Sequence, residues 1–348
     1  MANSNLHKAK TAKNDEFYTQ LTDIEQELKH YKEHFRNKTV YLNCDDHKSS
    51  KFFTFFSLQF EHLGLKKLIA THYEPDGQPS YALIIDATKD LNGDGIINAK
   101  DTTEVKLNGN GDFRSKESLK FLEEADIVVT NPPFSLFREY IAQLMHHKKQ
   151  FLVVGSLNAI TMKEIFPLIR DNKLWLGHKR TGDFLLPDGT LKAVGALWYT
   201  NLDHAKRHEP ILTYQTYSKE AYPTYDNYDA INVNKTKDIP KGYKGYMGVP
   251  ISFLEKFNPN QFEVIGIDRQ ITSDSKRCFI NGKEIYARVV IRLITTLADH
   301  EPKDIVKIDV DGHQIPVRIV EHTADTTTIV YQQGKEVTYP STKRTYND

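Results

Sequence analysis

A run of apolar and β-branched residues, Ala125–Thr130, constrains the fold of this chain more than any other segment. Such a run is typical of a strand that is buried on both faces of a parallel sheet. Asn131, Pro132, Pro133 and Phe134 follow it directly. Ligands of such sheets bind beyond the carboxyl ends of the strands, so we expect Asn131 to face a crevice.

Strand and helix patterns alternate around this run through the first 200 residues or so. The alternation predicts an α/β fold whose doubly wound, mostly parallel, Rossmann-like sheet ends near residue 201. Further strands are predicted at 39–42, 68–73, 82–85, 150–155, 174–176 and 193–199, and helices at 22–35, 49–62, 135–147 and 163–171.

The amino-acid composition of the sequence changes after this predicted sheet. Residues 214–246 are rich in tyrosine, asparagine and lysine, which suits an irregular segment that makes contacts. The remaining residues form short β-patterns with turn signals at Asn281-Gly282, Asp311-Gly312 and Gln333-Gly334, so we predict a small β-rich C-terminal part. The expected division is a flexible arm at 1–12, a first domain at 13–205 with an insertion at 88–110, a contact region at 206–295 and a β-hairpin tail at 296–348.

Composition excludes several classes of protein. The 46 basic and 46 acidic residues cancel, so any surface for nucleic acid must be local. Cys44 and Cys278 are the two cysteines and lie far apart in sequence, which argues against a disulfide framework and fits a reducing cytoplasm. The polar start of the chain and the lack of an apolar run of roughly 18 to 20 residues predict a protein that is neither secreted nor embedded in a membrane.

The Asn131 loop combines an amide, two rigid prolines and an aromatic ring. Pro132 and Pro133 fix their own φ angles and hold Asn131 extended, so its carbonyl and nearby backbone carbonyls can be aimed at one NH2 group. Phe134 would stack on the ring that carries this amine. The combination predicts methyl transfer to a planar amine, and the alternative is an ordinary loop after a proline-terminated strand.

Three further segments have the acceptors and aromatic rings that bind a nucleoside cofactor. A carboxylate beside a phenyl ring can accept from an adenine amine while the ring packs on the base, although such a pair alone also fits a turn. The ends of the first and second strands would face the ribose and amino-acid parts. The residues are Asp112 and Phe113, then Asn43, Cys44 and Asp45, and finally Tyr73 and Glu74, with Asp76 as an alternative to Glu74 and packing as an alternative role for Cys44.

One segment matches a twelve-residue calcium loop, with glycine at its sixth position, Gly95. A bound calcium ion there would be a structural clip, and the alternative is a series of Asx turns closed by glycine. The predicted ligands are Asp90, Asn92, Asp94, Ile96 through its carbonyl, Asn98 and Asp101.

Over residues 13–292 the chain resembles the EcoRI-type adenine-specific DNA methyltransferases. Several motifs occur in order: Asn14–Thr19, Asn43–Asp46, Gly111–Ser115, Asn131–Phe134, Tyr225–Tyr228, Met247–Pro250 and Asn281–Lys283, with Tyr286 and Arg288. The resemblance implies methyl transfer from S-adenosylmethionine to N6 of adenine in a short duplex sequence. It further implies that Asn131, Pro132 and Phe134 form the catalytic loop, that Asp112 and Phe113 hold the cofactor adenine, and that Tyr18 and Thr19 cover its methionine part with Asp45 nearby.

An adenine inside a duplex must be flipped out to reach such a site, and contacts to the DNA must offset the cost. The segment at 214–246 is the candidate target-recognition region, and a solvated linker is the alternative. Its candidate contacts to DNA are Lys235, Lys237, Lys241, Lys244, Tyr225 and Asn227.

Two other functions stay open at this stage. An Asn-Pro-Pro-aromatic loop would also serve methylation of RNA or of a protein glutamine. A non-catalytic nucleic-acid-binding protein could retain the same fold. The expected partners are double-stranded DNA and a cognate restriction endonuclease, and a single asymmetric site suits a monomer that acts on one strand at a time.

Overall fold

The computed structural model describes residues 19–44, 51–74, 79–185, 190–193, 195–272 and 276–294, together with the backbone of four strands between residues 305 and 340. The chain divides into two compact units between Asp203 and His204.

The first unit is built on an eight-stranded sheet of order β4-β3-β2-β1-β5-β6-β10-β7. A separate hairpin of β8 and β9 accompanies it. The strands are β1 Thr39–Leu42, β2 Lys67–Thr71, β3 Tyr81–Asp86, β4 Thr103–Lys106, β5 Ile127–Thr130, β6 Gln150–Ser156, β7 Trp175–Arg180, β8 Phe184–Leu185, β9 Leu191–Lys192 and β10 Ala196–Thr200.

The four central strands, β2, β1, β5 and β6, pair in parallel, while β3 and β10 run antiparallel to both of their neighbours. The prediction of a mixed α/β fold with a large, mostly parallel sheet is therefore confirmed. One strand of this sheet was missed, since β4 lies inside the interval that was expected to be an insertion, and the short hairpin strands β8 and β9 were not predicted either. Strand β4 adds to the edge of the sheet by antiparallel pairing with β3.

The described helices are α1 Leu21–Leu28, α2 Lys32–Phe35, α3 Lys51–Leu58, α4 Phe60–Leu63, α5 Lys116–Glu124, α6 Phe137–His146, α7 Phe166–Arg170 and, in the second unit, α8 Asp268–Ile271. The helix predicted at 49–62 is interrupted at Gln59, whose φ of −99° and ψ of 10° leave the helical range. No helix in the described part of the chain is both long and apolar enough to cross a membrane.

Helices pack on both faces of the sheet because alternate strand residues point in opposite directions. On one face, Val40 and Leu42 join a cluster with the phenylalanines of α3 and α4 and with α1. On the other face, Tyr41 contacts Phe121 of α5, with ring centroids 6.0 Å apart. The central strands are thus buried on both sides, as their continuous apolar runs predicted.

The second unit contains a four-stranded sheet of β11 Ile231–Asn232, β12 Met247–Pro250, β16 Arg288–Leu293 and β13 Phe262–Ile267, in that order. Strands β14 Phe279–Ile280 and β15 Lys283–Glu284 form a hairpin. Its turn, predicted from Asn281 and Gly282, is confirmed, since both residues have positive φ angles of 52° and 72°.

The last strands, β17 Ile305–Val310, β18 His313–His322, β19 Thr326–Tyr331 and β20 Glu336–Pro340, pair antiparallel in sequence order. The prediction of a small β-rich C-terminal part is therefore confirmed. The turns predicted at Asp311-Gly312 and Gln333-Gly334 lie outside the described residues.

We expect Phe56→Ala to lower the free energy of unfolding by about 3–5 kcal/mol. Phe56 is fully buried, and its ring packs edge-on against Phe35 and Phe55 at centroid distances of 5.3 and 5.2 Å. Urea denaturation would measure the change. Leu58→Ala is the control, because Leu58 lies on the same helix and is 68% exposed. An effect of Phe56→Ala no larger than that of the control would contradict this packing.

Candidate active site

The parallel pairing brings the predicted site loops to one edge of the sheet. Tyr41 pairs with Val128, and Thr130 pairs with Val153, so β1, β5 and β6 end side by side. The loops that begin at His72, Asn43, Asn131 and Leu157 therefore leave the same edge, after β2, β1, β5 and β6 in turn.

The Asn131 loop is partly enclosed by other residues of the first unit. Pro132 is buried, whereas Asn131, Pro133 and Phe134 are half-buried. Phe134 begins a short 3-10 helix that continues into α6, and its ring packs edge-on against Phe184 of β8, with centroids 6.3 Å apart and an interplanar angle of 84°. Phe184 is itself buried, so one edge of the Phe134 ring is held in place.

Tyr140 of α6 joins two of the predicted cofactor segments. Its hydroxyl donates a short hydrogen bond to Oδ1 of Asn43, and both residues are buried. Its ring packs edge-on against Phe113, with centroids 5.1 Å apart. Burial raises the pKa of Tyr140 well above its ordinary value, so the hydroxyl keeps the proton that it donates. Nε2 of Gln143, also in α6, donates to the carbonyl of Phe113 over 3.0 Å.

Asp112 forms a bidentate pair with Arg114. Nε of Arg114 donates to Oδ1 over 2.9 Å, and Nη2 donates to Oδ2 over 2.6 Å. These hydrogen bonds from Arg114 lower the pKa of Asp112. The backbone amide of Arg114 also donates to Oδ1, which leaves one lone pair of Oδ2 for a further donor in this arrangement.

Gly111 connects this loop to the end of β2. Its φ of +76° is in the left-handed region, and a Cβ atom there would lie 1.8 Å from the carbonyl oxygen of His72. The amide of Glu74 donates to the carbonyl of Asn110 over 2.8 Å. Oε1 of Glu74 lies 2.7 Å from Nε2 of His72, while Tyr73 is 52% exposed. Glu74 is therefore oriented by its neighbour, and Tyr73 is not enclosed.

The other predicted cofactor residues differ in what surrounds them. Thr19 is buried, and its Oγ1 has no hydrogen-bond partner among the described residues. Thr130, at the end of β5, is in the same situation. Cys44 is half-buried and not part of a disulfide. Tyr18, Asp45 and the alternative Asp76 lie outside the described residues, so their roles stay predictions.

A cleft of about 280 Å³ opens at the ends of β6 and β7 and the start of β10. The sequence did not indicate it, because its walls come from three separate segments. The lining residues are Leu157, Arg180, Thr181, Gly182, Asp183, Ala193, Gly195, Ala196 and Leu197.

The calcium interpretation of the 90–101 loop is not supported. Among the described residues, no group of three or more histidine, cysteine, aspartate or glutamate side chains could hold a metal ion. The loop is instead closed by its own backbone amides, which donate to the side chains that were predicted as ligands. Asp90 accepts from Gly93 and Gly95, Asn92 from Asp94, Asp94 from Ile96, Asn98 from Lys100, and Asp101 from Leu91 and Asn98.

Two of the predicted DNA contacts in the second unit, Tyr225 and Asn227, make hydrogen bonds within that unit. Tyr225 is 4% exposed, and its hydroxyl donates to Oδ1 of Asn232 over 2.8 Å, so it packs inside the unit. Asn227 is half-buried and bonds through both side-chain atoms to the backbone of Arg277 and Phe279. The lysines Lys235, Lys237, Lys241 and Lys244 are exposed.

The fold and the loops at its strand ends are consistent with a methyltransferase. The model of the family described as adenine-specific methyltransferase EcoRI matches residues 5–190 and 180–294. The chain is 47% identical over 319 residues to the type II methyltransferase M.EcoRI of Escherichia coli, a match that covers 83% of this chain and 96% of that protein. The chain therefore belongs to the EcoRI family of adenine-specific methyltransferases.

Two Mycoplasma proteins are similar over the same share of the chain. Identity to the type II methyltransferase M.MpnI of Mycoplasma pneumoniae is 39% over 323 residues, covering 82% of this chain and 97% of that protein. Identity to the type II methyltransferase M.MgeORF184P of Mycoplasma genitalium is 38% over 324 residues, covering 82% and 98%. No solved structure matches the chain. The β17–β20 strands lie beyond the residues that the family model matches.

We expect Tyr140→Phe to weaken S-adenosylmethionine binding about three- to tenfold. The variant keeps the ring against Phe113 but leaves Oδ1 of Asn43 without its buried donor, at about 1–3 kcal/mol. Isothermal titration calorimetry would measure the affinity.

The matched control for this prediction is Tyr199→Phe. Tyr199 is also buried, and its hydroxyl donates to the carbonyl of Ser156 at the end of β6. Tyr199→Phe should lower the free energy of unfolding by a comparable amount, but it should leave the affinity for S-adenosylmethionine unchanged. Equal cofactor affinities of the two variants would contradict the role of Tyr140.

Proposed function

We propose that this enzyme transfers a methyl group from S-adenosylmethionine to N6 of an adenine that is flipped out of duplex DNA, with the Asn131 loop between the two substrates. Its family and its relatives make it a DNA adenine methyltransferase of a restriction-modification system. One observation carries the finer proposal. Along the carboxyl edge of the sheet, Glu74 and Asn43 follow β2 and β1, and the loop with Asp112 and Phe113 is bonded to the end of β2. The Asn131 loop follows β5, and the cleft follows β6 and β7.

The side of β1 and β2 suits the cofactor. Oγ1 of Thr19 is buried and has no hydrogen-bond partner within the part of the chain that the structure describes, and Oδ2 of Asp112 keeps one lone pair there. Both atoms fit a ligand with hydrogen-bond donors. We assign Asp112 and Phe113 to the adenine, Glu74 to the ribose hydroxyls, and Asn43 with Thr19 to the amino-acid part. When bound, S-adenosylmethionine supplies an electrophilic methyl group on a positively charged sulfur.

The Asn131 loop would hold the acceptor. Oδ1 of Asn131 accepts one hydrogen of the adenine amine, a neighbouring backbone carbonyl accepts the other, and the amine lone pair is thereby directed at the methyl group. The half-buried ring of Phe134 stacks on the base while its edge rests on Phe184. Pro132 and Pro133 keep these acceptors rigid, which reduces the reorganisation needed at the moment of transfer.

The cleft after β6 and β7 would receive the flipped adenine. It is formed mainly by backbone and short side chains at Gly182, Ala193, Gly195 and Ala196, with Arg180 and Asp183 as charged groups. Flipping costs a few kcal/mol, which contacts to the DNA backbone must offset. The exposed lysines of the second unit are our candidates for those contacts.

The proposal extends to partners. Every residue assigned above belongs to one chain, so a monomer that methylates one strand per encounter is sufficient. A cognate restriction endonuclease that cuts the same sequence would complete the system.

The first test is transfer of a labelled methyl group to duplex DNA, single-stranded DNA, RNA and protein, with the product identified by mass. We expect N6-methyladenine in duplex DNA. Label in RNA or on protein glutamine would favour those acceptors, and cofactor binding without any transfer would favour a non-catalytic protein that retains the fold.

We expect Asn131→Ala to slow transfer by at least about 100-fold, because it removes an acceptor that holds the amine during the reaction. Affinity for S-adenosylmethionine should change less than about twofold, since the cofactor segments do not include this side chain. Single-turnover kinetics and calorimetry would measure the two quantities. Asn92→Ala, which truncates an exposed asparagine of the 90–101 loop, is the control. Parallel loss of rate and cofactor affinity would refute the assigned role.

We expect replacement of Lys235, Lys237, Lys241 and Lys244 by glutamine to weaken DNA binding and to flatten its salt dependence. Each phosphate contact that is lost should reduce the slope of log K against log salt by roughly 0.9. Binding titrations between low and moderate salt would measure this slope. Lys89→Gln replaces an exposed lysine of the first unit and should leave the slope unchanged. An unchanged slope in all four variants would remove these lysines from the interface.

A further inference from the structure

Two carboxylates on one face of α1 hold the backbone at the end of β7 and just after it. Asp23 and Glu27 are four residues apart, so they project from the same side of the helix. Oε1 of Glu27 accepts from the amide of His178 over 2.6 Å, and Oε2 accepts from the amide of Lys179 over 2.8 Å. Oδ2 of Asp23 accepts from the amide of Gly182 over 2.9 Å. We call this arrangement the α1 clamp.

The clamp is built into the fold. Glu27 is fully buried and also accepts from the hydroxyl of Tyr31 over 2.9 Å. A Cβ atom on Gly177 would lie 2.4 Å from Oε1 of Glu27, so this close approach requires glycine. The backbone here is irregular as well, because the pairing of β7 with β10 shifts register between Leu197 and Tyr199. Because this irregularity interrupts the ladder, the successive amides of His178 and Lys179 can both donate to the carboxylate of Glu27.

The held segment is the wall of the cleft. Arg180, Thr181, Gly182 and Asp183 line it. Along the chain they lie between the clamped amides of His178 and Lys179 and the residue Phe184, and the amide of Gly182 is clamped as well. Phe184 in turn supports the ring of Phe134. It also belongs to the same apolar cluster as Ile24 and Leu28 of α1. Movement of α1 would therefore shift both the cleft wall and the support of Phe134.

We propose that Asp23 and Glu27 are positioning residues for methyl transfer. They fix residues 180–184 so that the flipped adenine is held between the cleft wall and Phe134 with its amine at the Asn131 acceptors. This inference rests on the proposed function of the cleft as the adenine site. The proposed action of the carboxylates is through residues 180–184 and not on either substrate directly, so their effect is on the rate of transfer and on the order of the flipped base.

The test uses Glu27→Gln and Asp23→Asn. Glu27→Gln keeps the shape of the side chain, but it removes the charge and turns one of two accepting oxygens into a donor that faces a backbone amide. Asp23→Asn removes the charge from the group that accepts from the amide of Gly182 and so weakens that hydrogen bond. The control is Glu25→Gln, the same chemical change at an exposed position of the same helix. Asp23 is half-buried, so we expect Asp23→Asn to disturb folding less than a change at the buried Glu27. If Glu27→Gln does not fold, the rate of Asp23→Asn tests the inference.

We expect both variants to lower the single-turnover rate about ten- to 100-fold, because small misplacement of a substrate has effects of this size. The dissociation constants of S-adenosylmethionine and DNA should change less than about twofold. In DNA that has 2-aminopurine in place of the mapped target adenine, fluorescence should show that the flipped base is less constrained in the variant complexes than in the wild-type complex. The control should match the wild type in all of these measurements.

Two results would overturn the inference. One is wild-type rates in both variants, and the other is a loss of rate that is matched by equal losses in both substrate affinities. Failure of the proposed function is distinguishable, since it would appear as an active Asn131→Ala variant or as no transfer to duplex DNA by the wild type. If Asn131→Ala is inactive and the clamp variants are fully active, only the role of the α1 clamp is wrong.

Discussion

Parallel pairing of β5 with β1 on one side and β6 on the other is the constraint on which the site depends. These strands are buried on both faces, so a shift in register would displace several apolar side chains at once. Because the register of these strands is fixed, the loops after β1, β5 and β6 begin at the same edge of the sheet. The proposed methyl donor and acceptor can then meet at the loop between them, although the loops are far apart in sequence.

Carboxylates that accept from backbone amides hold the loops around this edge. Glu117 accepts from the amides of Asn108 and Gly109, and both of these bonds lower its pKa. Asp23 and Glu27 also accept from backbone amides, at the end of β7 and just after it. Several acidic residues of this chain therefore act on the backbone instead of on a ligand. The 90–101 loop illustrates the difference, since its pattern of oxygen side chains predicted calcium ligation but serves Asx turns.

Local patterns predicted the central strands and the loops that follow them. The β1 strand was expected at 39–42 and lies there, and the turn at Asn281 and Gly282 formed as expected. The sequence did not indicate the partners of those loops. Tyr140 contacts Asn43 across 97 positions, and Glu27 contacts His178 across 151. No spacing rule covers such distances, and both residues fit equally well as ordinary members of an amphipathic helix.

By itself the sequence determined the class of fold, the positions of its central strands and the motifs that relate it to adenine-specific methyltransferases, because periodicity and turn chemistry are local properties. Only the tertiary structure decided that Tyr225 is buried, that the cleft lies after β6 and β7, and that α1 holds its wall. These features depend on which distant segments pack together. The burial of whole sheet faces determines which segments pack together, and the local sequence around a single residue does not.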